Sequence, residues 1–417
     1  MTWPQVAIGT LGQIYDGPHA TPKSSDEGPI FLGIKNITED GRLDLSEIRH
    51  IAEDDYPRWI RRVEPKPGDI VFIYEAGLNR YAVVPEGFRG CLGRRTALIR
   101  LDSQKADSRF LLYYFLGEEW RQTIARNIWS GATVDRIPLT NFPAFPVTLP
   151  PLATQRKIAA VLSSYDDLIE NNTRRIAILE QIARLLYREW FVDFRFPGHE
   201  EVPAADSRLG PIPNGWQIRY ATDALLINPT TTLPRDGQKP FVPMSALSND
   251  SMLISGFEMR AGNSGAKFRN GDTLFARITP CLENGKTAFV QFLPTDDTVA
   301  FGSTEFIVLR PKTLNPEFVY LIARSDAFRD NAIKSMSGAT GRQRVRETCF
   351  ATFEFPHPPQ GLLQLFHDRV YSIFAAIQTL DQQNANLRQT RDLLLPRLIS
   401  GEVDVENLDI NTEGLAA

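Results

Sequence analysis

The chain has only three cysteines, at positions 91, 281 and 349, and no Cys-x-x-Cys pair. An odd, scattered set builds neither a disulfide framework nor a cysteine zinc site, and it suits a reducing, cytoplasmic setting. Histidine is scarce too: His19, His50, His199, His357 and His367 show no metal-ligand spacing. No apolar run reaches the roughly 18 residues that cross a bilayer. The opening Met1-Thr-Trp-Pro-Gln5 lacks the basic-then-apolar layout of a signal peptide. Nor is there a large excess of either charge, with a net of −4.

Catalytic signatures are missing in the same way. Asn284-Gly-Lys-Thr287 ends like a phosphate-binding loop, but the first glycine of that motif would fall at Pro280, so the backbone cradle is lost. Leu149-Pro-Pro-Leu152 lacks the Asn or Asp and the aromatic residue that flank the proline pair of amino-methyltransferases. No Gly-x-Gly-x-x-Gly follows a strand to hold a methyl donor. Asp54-Asp55 with Glu64 and Lys66 resembles the carboxylate–lysine set of metal-dependent nucleases, yet Pro65 opposes a regular strand there. These residues leave a self-contained nuclease as one alternative reading, and a protein-binding scaffold without a DNA role as another. The leading expectation is a non-catalytic chain that itself binds no cofactor and no metal.

What the chain does have is a duplicated ladder. Ile158, Leu162, Tyr165, Ile169, Asn172, Ile176, Leu179, Ala183, Leu186 and Trp190 follow alternating steps of four and three. Adding 208 gives Phe366, Val370, Ile373, Ile377, Leu380, Asn384, Leu387, Arg391, Leu394 and Leu398. Such spacing lines one seam of a helix, which must bury itself against another helix.

The duplication continues into the flanking segments. Phe142-Pro-Ala-Phe145 matches Phe350-Ala-Thr-Phe353, and Pro150-Pro151 matches Pro358-Pro359. Ser130-Gly-Ala-Thr133 matches Ser337-Gly-Ala-Thr340, Gly68-Asp69 matches Gly271-Asp272, and Trp3 matches Trp216. The offset drifts in these segments and holds constant along the ladder, so arm length is conserved between copies while loop length is not. Strand-rich patterns, such as residues 70–74, 96–101, 287–290 and 305–309, surround one helical patch per copy, at 108–127 and 316–334. Prolines tolerated at helix starts mark where each arm begins, and Pro396 is expected to kink or shorten the second.

The implied fold class is α+β: two mixed α/β domains separated by a long antiparallel two-helix coiled coil with a pseudo-twofold duplication. The boundaries read 1–148 for the first domain, 149–195 for the first arm and 196–213 for a linker. The second domain then spans 214–356 and the second arm 357–401, with an acidic tail at 402–417.

Asn172 and Asn384 decide how the arms pair. In a parallel pair each amide would face an aliphatic residue, at a cost of roughly 1–3 kcal/mol apiece. An antiparallel pair sets residue x opposite 556 − x, which brings the two amides into one polar layer and Trp190 against Phe366. It also lets Tyr165 cover the stem of Arg391. About 33 paired residues span about 50 Å, comparable to one to one and a half turns of B-DNA.

Charge is local. Residues 58–100 hold nine Lys or Arg against four acids, and 324–346 hold six against two, as expected of a protein that meets a polyanion over a limited face.

The chain resembles the specificity (S) subunits of type I restriction–modification systems. The resemblance rests on Leu149-Pro-Pro-Leu-Ala-Thr-Gln-Arg-Lys-Ile-Ala159, Leu168-Ile-Glu-Asn-Asn172, Trp190-Phe-Val-Asp-Phe-Arg-Phe-Pro-Gly198 and Ile212-Pro-Asn-Gly-Trp216, and covers nearly the whole length. Where the family commonly carries Glu-Gln after the prolines, this chain has Thr154-Gln155. The resemblance implies two target recognition domains reading a bipartite double-stranded DNA site. It also implies two methyltransferase (M) subunits docked on the arms and restriction (R) subunits joining through the complex. S-adenosylmethionine, ATP and Mg²⁺ would then be held by those partners.

Candidate DNA contacts lie on paired loops. In the first domain they are Arg80, Arg94, Arg95, Thr133 and Arg136; in the second, Arg277, Thr279, Glu283, Asn284, Lys286, Thr340, Arg342, Gln343 and Arg344. Arginine and lysine reach phosphates or guanine edges, Asn pairs with adenine, and Glu accepts from cytosine N4.

Overall fold

The computed structural model describes residues 3–130 and 134–412. The chain forms two compact units, Met1–Glu170 with Ala385–Ala417, and Asn171–Asn384.

In the first unit a four-stranded antiparallel sheet runs in the order Gly12–Asp16, Thr96–Leu101, Ile70–Ile73, Tyr81–Val83. A smaller sheet joins Arg49–His50, Ser25–Leu32 and Gly90–Leu92. The second unit repeats the larger sheet as Leu225–Ile227, Phe306–Pro311, Thr273–Ala276, Thr287–Phe289. The strands expected from sequence fall within these sheets to within two residues at either end. Each helical patch is two helices rather than one: Ser108–Leu116 and Glu118–Arg126, then Pro316–Arg324 and Asp326–Lys334. The breaks fall where Gly117 and Ser325 take extended backbone, and the Ser325 hydroxyl caps the helix that follows.

The repeated Gly-Asp pair has a physical reason. Gly68 and Gly271 both adopt φ of 84°, a left-handed turn that a side chain would strain. The aspartate that follows folds back onto its own turn: Asp69 accepts from the Lys66 N–H (2.8 Å) and Asp272 from the Arg269 N–H (2.9 Å). Each carboxylate also takes a two-pronged arginine from the neighbouring strand, Arg100 in one unit and Arg310 in the other.

Each arm is a 40-residue helix, Leu152–Phe191 and Gln360–Ile399, starting directly after the Pro150-Pro151 pair or the Pro358-Pro359 pair. The second arm passes through Pro396 and ends three residues later. Every ladder position on both arms is buried or half-buried. Within the second unit Asn172 Nδ2 donates to Asn384 Oδ1 at 3.1 Å, both side chains being buried, and the Trp190 and Phe366 rings lie 5.7 Å apart. This is antiparallel pairing in the expected register. Within the first unit Arg391 is held by Asp166, the residue after Tyr165, and Asp166 also accepts from the Tyr113 hydroxyl at 2.5 Å.

Asn172→Leu alone should cost about 1–3 kcal/mol, because the buried Asn384 Oδ1 loses its donor while its amide nitrogen keeps the Thr173 hydroxyl at 3.3 Å. Replacing both asparagines by leucine should recover that loss. Urea unfolding of the two singles and the double checks this; a single variant as stable as the parent would deny the amide layer its role in register.

The segments after the arms are ordered. Trp216 packs among Phe191, Phe194 and Phe196 of the second unit, and the linker forms a short ribbon, Ala204–Ala205 with Ile212–Pro213. The described part of the acidic tail, residues 402–412, likewise lies on the first unit: Val405 is buried, and Lys157 Nζ donates to the carbonyls of Glu406 (2.8 Å) and Leu408 (2.9 Å). Trp3 packs beside Gly401 much as Trp216 packs beside the first linker.

Candidate nucleic-acid interface

Three loops meet at the end of one central strand in each unit, through matching backbone bonds. In the first unit, strand Ile70–Ile73 runs into Tyr74, whose N–H donates to the Arg95 carbonyl (3.2 Å) while its carbonyl accepts from Ile137 N–H (2.8 Å). Ala76 N–H donates to Asp135 O at 3.2 Å. In the second, strand Thr273–Ala276 runs into Arg277, whose N–H donates to Glu305 O (3.0 Å) and whose carbonyl accepts from Val345 N–H (2.9 Å). Thr279 N–H donates to Gln343 O at 3.0 Å. The candidate loops near 75–80 and 135–136, and near 277–286 and 340–344, are therefore joined within their units. Sequence reasoning missed the third loop of the second unit, Ser303 to Glu305, which carries no motif.

The first junction is conformationally strained. Ala76, Asn79 and Arg95 have φ of 61°, 63° and 71°, left-handed values that cost L-residues roughly 1–2 kcal/mol each. Strain of this kind gathers where a loop must hold a shape for a ligand.

The candidate side chains divide into two sets. Arg80 pairs with Glu39 (2.8 Å), Arg95 with Glu75 (2.9 Å), Arg277 with Glu347 (3.0 Å) and Arg344 with Glu305 (2.6 Å). The Arg344 guanidinium holds the Glu305 carboxyl below its ordinary range. Lys286 donates to the Met244 carbonyl at 3.1 Å, and half-buried Thr279 bonds Gln343 O through its hydroxyl (3.4 Å). Arg94, Glu283, Asn284, Thr340 and Arg342 are exposed and Gln343 is half-buried; among the described residues none of these side chains has a hydrogen-bond or ion-pair partner. The Arg136 guanidinium lies over the ring of the exposed Trp129, at cation–π range, across the ribbon of Trp129–Ser130 and Asp135–Arg136. Thr133, with Gly131 and Ala132, lies outside the described residues. Trp129 was also missed by sequence reasoning, although an aromatic residue directly before a Ser-Gly-Ala-Thr turn was a readable signal.

Of the acidic set considered for a nuclease, Glu64 accepts from the Tyr56 hydroxyl at 2.9 Å, while Asp54 and Asp55 are exposed. Among the described residues no three His, Cys, Asp or Glu side chains gather as metal ligands, and no helix is long and apolar enough to cross a membrane.

The profile of the type I restriction modification DNA specificity domain matches residues 44–181. The type I restriction enzyme MjaIX specificity subunit of Methanocaldococcus jannaschii is 26% identical over 369 residues, covering 86% of this chain and 83% of that one. Over most of its length the chain is thus similar to type I specificity subunits. The EcoAI specificity subunit of Escherichia coli is 28% identical over 212 residues, 49% of this chain and 36% of that one. A crystal structure of a type I S subunit from M. genitalium shares the fold, with a TM-score of 0.57 and 15% identity over 95% of this chain and 96% of that one.

Proposed function

We propose that this chain is a type I specificity subunit that reads a bipartite duplex, one half-site per unit, with a gap between half-sites set by the paired arms. The single observation that carries this reading is the same three-loop junction, edged with arginines, built twice by the duplicated sequence. Half-site spacing in DNA recognition follows the geometry of the protein that joins the readers. The arms also support docking of two methyltransferase subunits, with restriction subunits joining through them. Beside its buried seam the first arm exposes Ile178, Ile182 and Leu185, again at steps of four and three. That is a second heptad seam open to another helix. S-adenosylmethionine, ATP and Mg²⁺ would be bound by those partners, in the cytoplasm.

Mapping modified bases in a host that makes the whole complex tests the reading. A split motif with a fixed gap is expected. Deleting one paired heptad from both arms removes about 10 Å of helix and should shorten the gap by roughly three base pairs, at about 3.4 Å each. An undivided motif, or a gap that ignores the deletion, would overturn it.

A further inference from the structure

Arg136 and Arg344 occupy the same place in the duplicated junction, and their surroundings differ. The backbone of Glu75 pairs with that of Arg136 as the backbone of Ile278 pairs with that of Arg344. Glu305 holds Arg344 through both carboxylate oxygens, at 2.6 to 3.0 Å. The matching position in the first unit is Arg95, whose carbonyl plays the part of the Glu305 carbonyl and whose side chain turns to Glu75. Arg136 therefore has no carboxylate, and among the described residues its side chain has no hydrogen-bond or ion-pair partner. Instead its guanidinium carbon stands 5.9 Å from the ring centre of Trp129, its direct partner across the ribbon. Trp129 is 56% exposed, while Trp59, Trp120, Trp190 and Trp216 are buried.

A large exposed indole is costly on a free surface, and here it serves as a shelf. Stacking over an aromatic face holds a guanidinium through its π-surface and leaves the N–H edge unused. That edge is the fork that reads O6 and N7 of guanine in the major groove. Pinning it beforehand reduces the side-chain entropy lost on binding. We infer that Arg136 is the guanine-reading side chain of the first unit and that Trp129 is its positioning residue. The inference rests on the DNA-reading function proposed above and assigns one base contact within it.

The test uses the full chain in complex with its methyltransferase partner. Mapping of modified sites should show that Arg136→Ala and Arg136→Lys relax one G·C position in one half-site, with discrimination there falling about ten- to a hundredfold. Lysine keeps the charge and loses the fork, so it should not rescue. Trp129→Ala should relax the same position less, and Trp129→Phe should retain most of the discrimination. In binding assays, 7-deazaguanine at that position, which removes N7, should weaken the parent complex and leave the Arg136→Ala complex unaffected. Iodide quenching of tryptophan emission should fall when the specific duplex is added and show no such change in Trp129→Phe. An unaltered motif in Arg136→Ala, or equal sensitivity of parent and variant to 7-deazaguanine, would overturn the assignment alone. A parent complex that modifies no motif would overturn the function on which it rests.

Discussion

Asp272→Ala should destabilise the second unit by about 3–5 kcal/mol, the range for removing one partner of a buried ion pair. The Asp272 side chain is 1% exposed and that of Arg310 is 11% exposed. The arginine meets the carboxylate through Nε and one terminal nitrogen, both at 2.7 Å, and its other close contact is the Thr231 hydroxyl at 3.1 Å. Alanine would leave a guanidinium without its counter-charge and the Arg269 N–H without an acceptor. Asp69→Ala, at the equivalent place in the first unit, should cost less. Arg100 is 31% exposed there, so water can solvate the orphaned charge, and the Glu64 carbonyl still accepts from it at 2.7 Å. Urea unfolding with limited proteolysis compares the two: the Asp272 variant should be cut first within residues 171–384. Equal costs for the two substitutions would contradict burial as the deciding factor.

Glu180→Ala is expected to have an effect of the same size, from another cause. Glu180 lies on the first arm, is buried, and ties the arm to the second unit's recognition fold. Its carboxylate accepts from the Tyr320 hydroxyl (2.5 Å), Arg184 (2.6 Å) and the Met252 N–H (2.9 Å). Arg324 lies 3.9 Å away, with burial pulling its guanidinium below its ordinary pKa. Burial likewise pushes the Tyr320 phenol upward, so its proton stays available to the carboxylate. Three donors converge on one acceptor. Glutamine should therefore recover little, since its amide nitrogen would face a donor; both variants should lose about 3–5 kcal/mol. Thermal and urea unfolding would reveal this, and a Gln variant as stable as the parent would show that the charge is dispensable.

The arms were readable because helical periodicity is a local property: steps of four and three fix a face whatever lies opposite. Even the pairing direction followed from two asparagines, since their need for a mutual partner is independent of the surrounding fold. The repeated Gly68-Asp69 and Gly271-Asp272 marked turns, but nothing in the sequence assigned Arg100 and Arg310 to them. Those bonds depend on strand neighbours 31 and 38 residues away. The same holds for the loops. Arg277, Arg344 and Lys286 looked alike as candidate contacts, and only the structure shows each held by an acid or a carbonyl, while Arg342 and Arg94 have no such partner among the described residues.

By itself the sequence determined that there are two copies of one plan, that each ends in a long helix, and that the helices run in opposite directions. Repetition and periodicity are written along the chain and need no distant partner to be read. Tertiary structure alone decided which arginines are neutralised and which are presented. The partner of a side chain at a loop junction comes from another strand end, and a single substitution there, Arg95 where the other copy has Glu305, is enough to reassign it.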